Sequence, residues 1–509
     1  MKYLLLLLSL CVCAWGVEPT EVAVVYNAQS ELSKAAAMRY CQVRRIPRDQ
    51  LLPLHGVARG NISREDFDTS IVKSLLVEGH KRGLMWPAGP HNGRKLMRAM
   101  VLMPDIPLKV KETMINGKPA GTGLRRTEAA VDAELMLLGA EFPTTGMGNN
   151  PFYKKEFPKK DAKPSVMMVC RIDGPDEACI YRMINDPVKV EKKGLWGWVV
   201  TDNGGPYKAG DALITEVSRL ANLHGQPLFN ETSSSTLPDG FPLMQQVIAY
   251  FGWYTRSANG PFHPNAPTDF KLAKGAVACH LHSFSATDIY NGVSWVSALL
   301  KRGACVTAGN VAEPYLNACL NYGVFYEQLL AGKQVAEAAL VASPTVSWQC
   351  IVLGDPLYRP FPHKPKLDRE DPYVIWRNMR RRAGDSFRAL QLAVEQKMSS
   401  HNGALYAEMF AWYCTEEKQF ETASEYFALA AKRHYKKTDK IRAQLLHAST
   451  TAAAGNRERA WKLYEKMMLD YATSPYLKAI KATAEPYRPK PAPTTADKKG
   501  SAKGEPVAK

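Results

Sequence analysis

The sequence predicts an α/β protein: a mainly parallel sheet with helices on both faces over residues 17–361, followed by an all-α helical-repeat region. Three observations predict it. Short, wholly apolar runs recur between residues 21 and 361 with amphipathic stretches between them, and strands apolar on both sides belong to parallel sheets covered on both faces. At 509 residues and 46% hydrophobic, the chain has material for a large core and for more than one domain. From residue 385 to 483 the pattern is helical, and two segments superimpose on each other.

In chain order, MKYLLLLLSLCVCAWG (1–16) has one Lys, an apolar run to Cys13 interrupted only by Ser9, and small Ala14 and Gly16 at a cleavage spacing. It reads as a secretory signal peptide. The alternative, a retained anchor, is disfavoured because the run is shorter than the ~20 residues of a spanning helix. Leu10 before Cys11 argues against a lipoprotein. No later segment is apolar enough to cross a bilayer, so an exported protein is expected, periplasmic or extracellular, soluble and without an integral membrane segment after cleavage. Export excludes nucleic acid as a partner. The net charge of +17 is diffuse apart from MRRR (379–382) and the terminal lysines, and reads as a solvated basic surface with an anionic envelope as its non-specific contact. Eight cysteines remain after cleavage, mostly inside apolar runs where a thiol acts as a small core residue, and one or two disulfides stay open.

EVAVVYN is the first strand, and SELSKAAAMRYCQVR the first helix, with Ser30 or Ser33 as its N-cap. Further strands are expected at RAMVLMPD, SVMMVCRID, LWGWVVTDN, QVIAYFGWY, GAVACHLHS, GACVTAGN and CIVLGDPLY. Helices are expected at RTEAAVDAELMLLG, DALITEVSRLANLHG, VSWVSALLKRG and GVFYEQLLAGKQVAEAALV. Pro and charge at 362–384 suggest a linker. Over 385–483, KQFETASEYFALAAKRH and NRERAWKLYEKMMLDY superimpose with Ala423 on Ala460 and Phe427 on Tyr464, each preceded by another helix. Such helix pairs resemble tetratricopeptide repeats, a plain helical bundle being the alternative, and either suits contact with a protein partner. Residues 484–509, rich in Pro, Lys and Ala, read as a disordered basic tail.

Ligands of open parallel sheets bind beyond the carboxyl ends of the strands. The candidates there are Asn27, Ser30 and Asp105, then Asp202, Trp253, Tyr254 and Glu313 as ligand-binding residues, and the stretch CHLHSFS. On an extended strand His280 and His282 share one face while Cys279, Ser283 and Ser285 share the other. Three readings follow. The histidines are a metal pair, for which no third ligand is visible, so that no metal or cofactor is expected. Or His280 or His282 is the base for Ser283, Ser285 or Cys279, oriented by a carboxylate such as Asp288 or Glu313. Or they are buried histidines bonded to backbone and hydroxyls. Asp132 one turn after Glu128 reads as a solvated or salt-bridged helix face, Glu313-Pro314 as a helix start, and Gly354-Asp355-Pro356 as a tight turn.

The runs HLHSFSA, GNVAEPYL and SWQCIVLGDPLYRPF, with VVYN, IPLKV, AAVDAEL, NNPFY, RIDGP and YFGWY, resemble an uncharacterised family of secreted bacterial proteins over most of residues 21–361. That likeness implies a fold neighbourhood and no reaction. More distantly, the domain resembles the gingipain-like and caspase-like cysteine peptidases, in which one strand ends in Gly-His-Gly, a later one in Ala-Cys, and the domain closes on Gly-Asp-Pro. Ala278-Cys279 and Gly354-Asp355-Pro356 match the last two elements. Trp253 and Tyr254 stand where the activating histidine belongs, which disfavours the standard dyad.

Two function classes are therefore expected. One is a non-catalytic binding or scaffolding protein of the cell envelope with a peptide or glycan ligand. The other is a divergent hydrolase or peptidase that uses the HLHSFSA segment.

Overall fold

A computed structural model describes residues 16–89, 93–140, 146–155, 165–233, 236–266 and 270–489. All but the last residue of the expected signal peptide, and the tail beyond 489, lie outside the described residues. The chain divides into two compact units between Asn402 and Gly403.

In the first unit the apolar runs form strands β1 (Val22–Asn27), β2 (Leu51–Leu54), β3 (Ala99–Leu102), β4 (Met168–Arg171), β5 (Trp198–Asp202), β6 (Leu228–Glu231), β7 (Val247–Gly252), β8 (Val277–His280), β9 (Thr307–Asn310) and β10 (Cys350–Leu353). One sheet has the order β9-β10-β4-β3-β1-β2, parallel except where β9 meets β10. The other has the order β6-β5-β7-β8 and is parallel throughout. A parallel bridge from Val277 to Val306 links their edges. β2 and β6 carry weaker signals: β2 includes Pro53, which an edge strand tolerates because its N–H side faces no neighbour.

Helices α1 (Glu31–Arg44), α2 (Lys73–Lys81), α3 (Val131–Leu135), α4 (Glu177–Val190), α5 (Lys208–Leu223), α6 (Trp295–Lys301), α7 (Tyr322–Leu330) and α8 (Val335–Ala342) connect and cover the strands. In β1, Val22 and Val24 share a core with Ala36 and Tyr40 of α1, while Ala23 and Val25 share another with Leu75 of α2. Helices thus cover both faces, and the mainly parallel α/β class holds. Ser30 is the N-cap of α1, its hydroxyl accepting from the Ser33 amide at 3.1 Å, an arrangement worth about 1 kcal/mol.

Several boundaries differ from expectation. GVFYEQLLAGKQVAEAALV forms two helices because Gly332, at φ +76°, turns the chain between α7 and α8. Within the expected linker, Asp371 caps a helix, α9 (Pro372–Ala383), that buries Val374, Trp376 and Met379, and α10 (Phe387–Lys397) follows. Both belong to the first unit. Glu128 precedes α3 rather than starting it; of the two expectations for Asp132 the salt bridge holds, the carboxylate being buried in an ion pair with Arg171 at 2.6 Å. Glu313-Pro314 starts no α-helix; the Glu313 carboxylate accepts from the Tyr315 amide at 2.9 Å and holds a turn. Asp355 does form the expected turn, accepting from the Leu357 amide, and also anchors α1 through the Tyr40 hydroxyl at 2.7 Å and the Arg44 guanidinium. All eight cysteines in the described residues are free thiols.

The second unit is all helical: α11 (Gly403–Glu416), α12 (Phe420–Arg433), α13 (Lys437–Ala453), α14 (Arg457–Asp470) and α15 (Leu477–Ala484), each packed on the next. Ala423 and Ala460 are both fully buried, as are Phe427 and Tyr464, the pairs that superimpose in the sequence. The predicted tail boundary at 484 falls at the end of α15, with a further short turn at Glu485–Tyr487. Inside this unit Glu408 accepts from Arg442 at 2.6 and 2.8 Å and contacts His434 at 2.9 Å.

Candidate functional site

The register of the second sheet sets four residues side by side at its carboxyl end: Glu231, Asp202, Gly252 and His280. Side chains alternate along each strand, so Asp202, Tyr250 and His280 lie on one face while Thr201, Phe251 and Cys279 lie on the other. Phe251 meets Tyr322 and Tyr326 of α7 on that second face. Cys279 therefore points away from His280. Burial pushes its thiol pKa well up.

On the first face Tyr250 is the link. Its hydroxyl donates to Asp202 Oδ2 at 3.2 Å and lies 3.2 Å from His280 Nδ1, while the Thr255 amide donates to His280 Nε2 at 3.3 Å. Since Nε2 accepts, the neutral ring carries its proton on Nδ1 and donates to Tyr250. Burial, reinforced by His282, pushes the His280 pKa well down and keeps the ring neutral. The Trp295 indole stacks on the ring at 3.5 Å and 5°. Gly252 makes room for this chain of hydrogen bonds: a Cβ there would stand 2.3 Å from the Tyr250 hydroxyl and 3.0 Å from Asp202 Cβ.

Asp202 is 5% exposed, and burial, with the Glu231 carboxylate adding to it, pushes its pKa up to about 7 against the Tyr250 hydrogen bond. Glu231 is itself raised by burial. Its Oε1 accepts from the Ser233 amide at 3.0 Å, but Oε2 has no hydrogen-bond partner among the described residues.

Leaving β8, the chain turns, so the predicted alternation stops at His280. His282 Nδ1 accepts from the Phe284 amide at 3.1 Å. Burial pushes the His282 pKa down, the Glu313 carboxylate opposes this and Arg256 adds to it. Ser285 is fully buried, and its hydroxyl accepts from the Asn310 amide at 3.2 Å. Neither Ser283 nor Ser285 is hydrogen-bonded to an imidazole among the described residues, and neither imidazole bonds to Cys279. The structure thus does not assemble the nucleophile–base pair that the residue types suggested. No group of three or more metal-ligating side chains occurs among the described residues.

Trp253 is a buried wedge. Its ring packs on Gly205 and Gly210, and Nε1 donates to Asp211 Oδ1 at 2.8 Å. The rings around it and around buried His282 are exposed: Tyr207 lies 6.3 Å from Trp253, Tyr254 5.6 Å from Trp253 and 4.9 Å from His282, and Phe284 6.2 Å from His282. Tyr207, Tyr254 and Phe284 are 62%, 37% and 46% exposed. Asn310 Nδ2 donates to the His282 carbonyl at 3.3 Å and contacts Cys319. Cys319 in turn lines a hollow of about 440 Å³ with Ala209 and Leu213 of α5 and the exposed Tyr315 beside Glu313. Tyr207, Tyr250 and Glu231 carry no pattern that would single them out in the sequence, although YFGWY contains Tyr250.

The strand ends of the first sheet carry a second polar cluster, internally satisfied. Ser30 donates to Asp105 at 2.6 Å, Arg59 pairs with Asp105 at 2.7 Å, and the Tyr290 hydroxyl donates to Asp173 at 2.8 Å. Arg59 also lies 4.0 Å over the Tyr290 ring. Asn27 donates to the Asp105 carbonyl at 2.9 Å. No helix among the described residues is long and apolar enough to cross a membrane.

No protein-family model matches the chain, and no curated protein does. A solved structure described as "Structure of Protease" aligns with 67% of this chain and 78% of its own length at 12% identity, with a TM-score of 0.37. So loose a superposition bears on neither the chemistry nor the ligand of this site.

Proposed function

We propose that the chain is a non-catalytic binding protein of the cell envelope whose ligand is a glycan lying along Tyr207, Tyr254 and Phe284, the exposed rings around buried Trp253 and His282. The observation that carries this reading is the set of exposed rings, Tyr207, Tyr254 and Phe284, grouped around buried Trp253 and His282. Rings held by a buried wedge offer large flat apolar faces at little entropic cost, and Arg256 and Glu313 at the rim supply polar partners. The nucleophile types of CHLHSFS serve the scaffold: Cys279 and Ser285 are buried, and His280 is committed to Tyr250 and backbone. On this reading the helical unit supplies a protein-docking surface of the tetratricopeptide kind, and export carries the protein to the envelope.

The test is titration with an N-acetylglucosamine tetramer, followed by saturation-transfer NMR and calorimetry. Binding that falls at least tenfold in Tyr254→Ala supports the reading. Absence of transfer from the tetramer, with binding of an uncharged peptide instead, refutes the glycan assignment.

A second reading, a hydrolase, is favoured by one observation. Asp202 has a pKa of about 7 beside a second raised carboxyl, the condition of a general acid–base pair at neutral pH. Cleavage of the bound oligomer by the parent chain and its loss in Asp202→Asn would move the assignment there.

A further inference from the structure

The opposite, amino-terminal end of the second sheet holds a separate cavity of about 230 Å³. It opens where the chain enters β5 and β6, under Phe361–Pro365 and α9. Its walls are rings: Trp196, Phe361 and Tyr373, with Pro362 and Pro365. A dry cavity of about 150 Å³ accommodates benzene, so this one has room for one aromatic ring with a substituent.

The charge is of one sign. Arg377 lines the cavity with His224, His363 and the neutral Gln226, and no acidic residue does. The Arg377 guanidinium lies 5.3 Å from the centre of the Trp196 ring. Neither Arg377 nor Arg381, one turn on, has an ion-pair partner among the described residues. Burial, then the neighbouring Arg381, lower the Arg377 pKa; burial, then Arg377, lower that of His224. A guanidinium on the rim of a ring-lined hollow, repelled by a neighbouring one and without an ion-pair partner among the described residues, is stabilised by an anion.

We infer that this cavity binds an aromatic carboxylate, its ring between Trp196 and the prolines and its carboxylate on the Arg377 fork. The ligand is either a free aryl acid or the C-terminal phenylalanine or tyrosine of a peptide. Both present the same ring and charge. The site is separate from the aromatic row at the other end of the sheet, and does not depend on it.

The experiment uses the full chain and three probes: phenylacetate, Gly-Gly-Phe, and the same tripeptide as its C-terminal amide, read by saturation-transfer NMR and calorimetry. Expected is binding of at least one of the two acids, phenylacetate alone marking a free acid and Gly-Gly-Phe alone a peptide terminus. The amide should bind at least tenfold more weakly than the tripeptide acid where the latter binds. Arg377→Gln, which leaves the Val374, Trp376 and Met379 core face of α9 intact, should weaken acid binding about tenfold or more, the scale of a lost charge-assisted bond. Trp196→Ala should weaken it too, whereas Tyr254→Ala should leave it unchanged. No binding of either acid at 10 mM, equal binding of acid and amide, or an unchanged affinity in Arg377→Gln overturns the inference.

Discussion

Asp202→Asn should stabilise this protein at alkaline pH and leave it nearly unchanged at acid pH. In the unfolded chain the carboxyl titrates near 3.8; in the folded chain burial and Glu231 hold its proton to about 7. Between those values the folded state binds more protons than the unfolded one, so stability falls as pH rises from about 4 through 7. The difference of roughly three pKa units, at about 1.36 kcal/mol each, makes the ionised form cost about 4 kcal/mol above pH 7. Asparagine cannot ionise, keeps a carbonyl oxygen to accept from the Tyr250 hydroxyl, and faces Glu231 with an amide donor in place of a like charge. The variant should therefore gain up to about 4 kcal/mol at pH 8, and close to nothing at pH 4. Urea unfolding of the full chain from pH 4 to 8 measures this, with tryptophan fluorescence as the signal, because Trp253 and Trp295 pack beside the site. A variant less stable than the parent at pH 8, or a stability difference that does not change with pH, refutes the reasoning.

Gly252→Ala should disrupt the Asp202–Tyr250–His280 chain, since its Cβ would stand 2.3 Å from the Tyr250 hydroxyl, and should destabilise by about 1–3 kcal/mol in the same urea assay. Cys279 should resist iodoacetamide in the folded chain at pH 8 and react only after denaturation, as mass spectrometry of the alkylated peptide would show; burial and the raised thiol pKa require it. In the helical unit, Arg442→Met leaves Glu408 buried with a reduced set of partners and should weaken protection by about 3–5 kcal/mol, read as faster amide hydrogen exchange across 403–489. Burial opposes ionisation of Glu408, but Arg442 and His434 outweigh it and hold its pKa at about 2, below its ordinary 4.5. That stabilisation, about 3 kcal/mol, is present above pH 4.5 and should be lost as pH falls toward 2, with exchange in the same peptides accelerating over that window.

The sequence by itself determined the class and the order of the architecture. Unbroken apolar runs such as EVAVVYN and QVIAYFGWY admit a strand covered on both faces, and their alternation with amphipathic segments admits a parallel sheet. Coincident small and aromatic positions at Ala423 and Ala460, Phe427 and Tyr464 likewise announced stacked helices, because packing repeats when its residues do. The sequence also marked the strand ends where polar groups gather. What those groups do was decided only by the tertiary structure. Local alternation placed His280 and His282 together, but the strand stops at His280, and hydrogen bonding between strands far apart in sequence chose the neighbours. Register set His280 beside Gly252, Asp202 and Glu231. The missing side chain of Gly252 gave Tyr250 its place between a carboxylate and an imidazole. Periodicity is a property of neighbouring residues, whereas proximity across a sheet depends on contacts that no local pattern encodes.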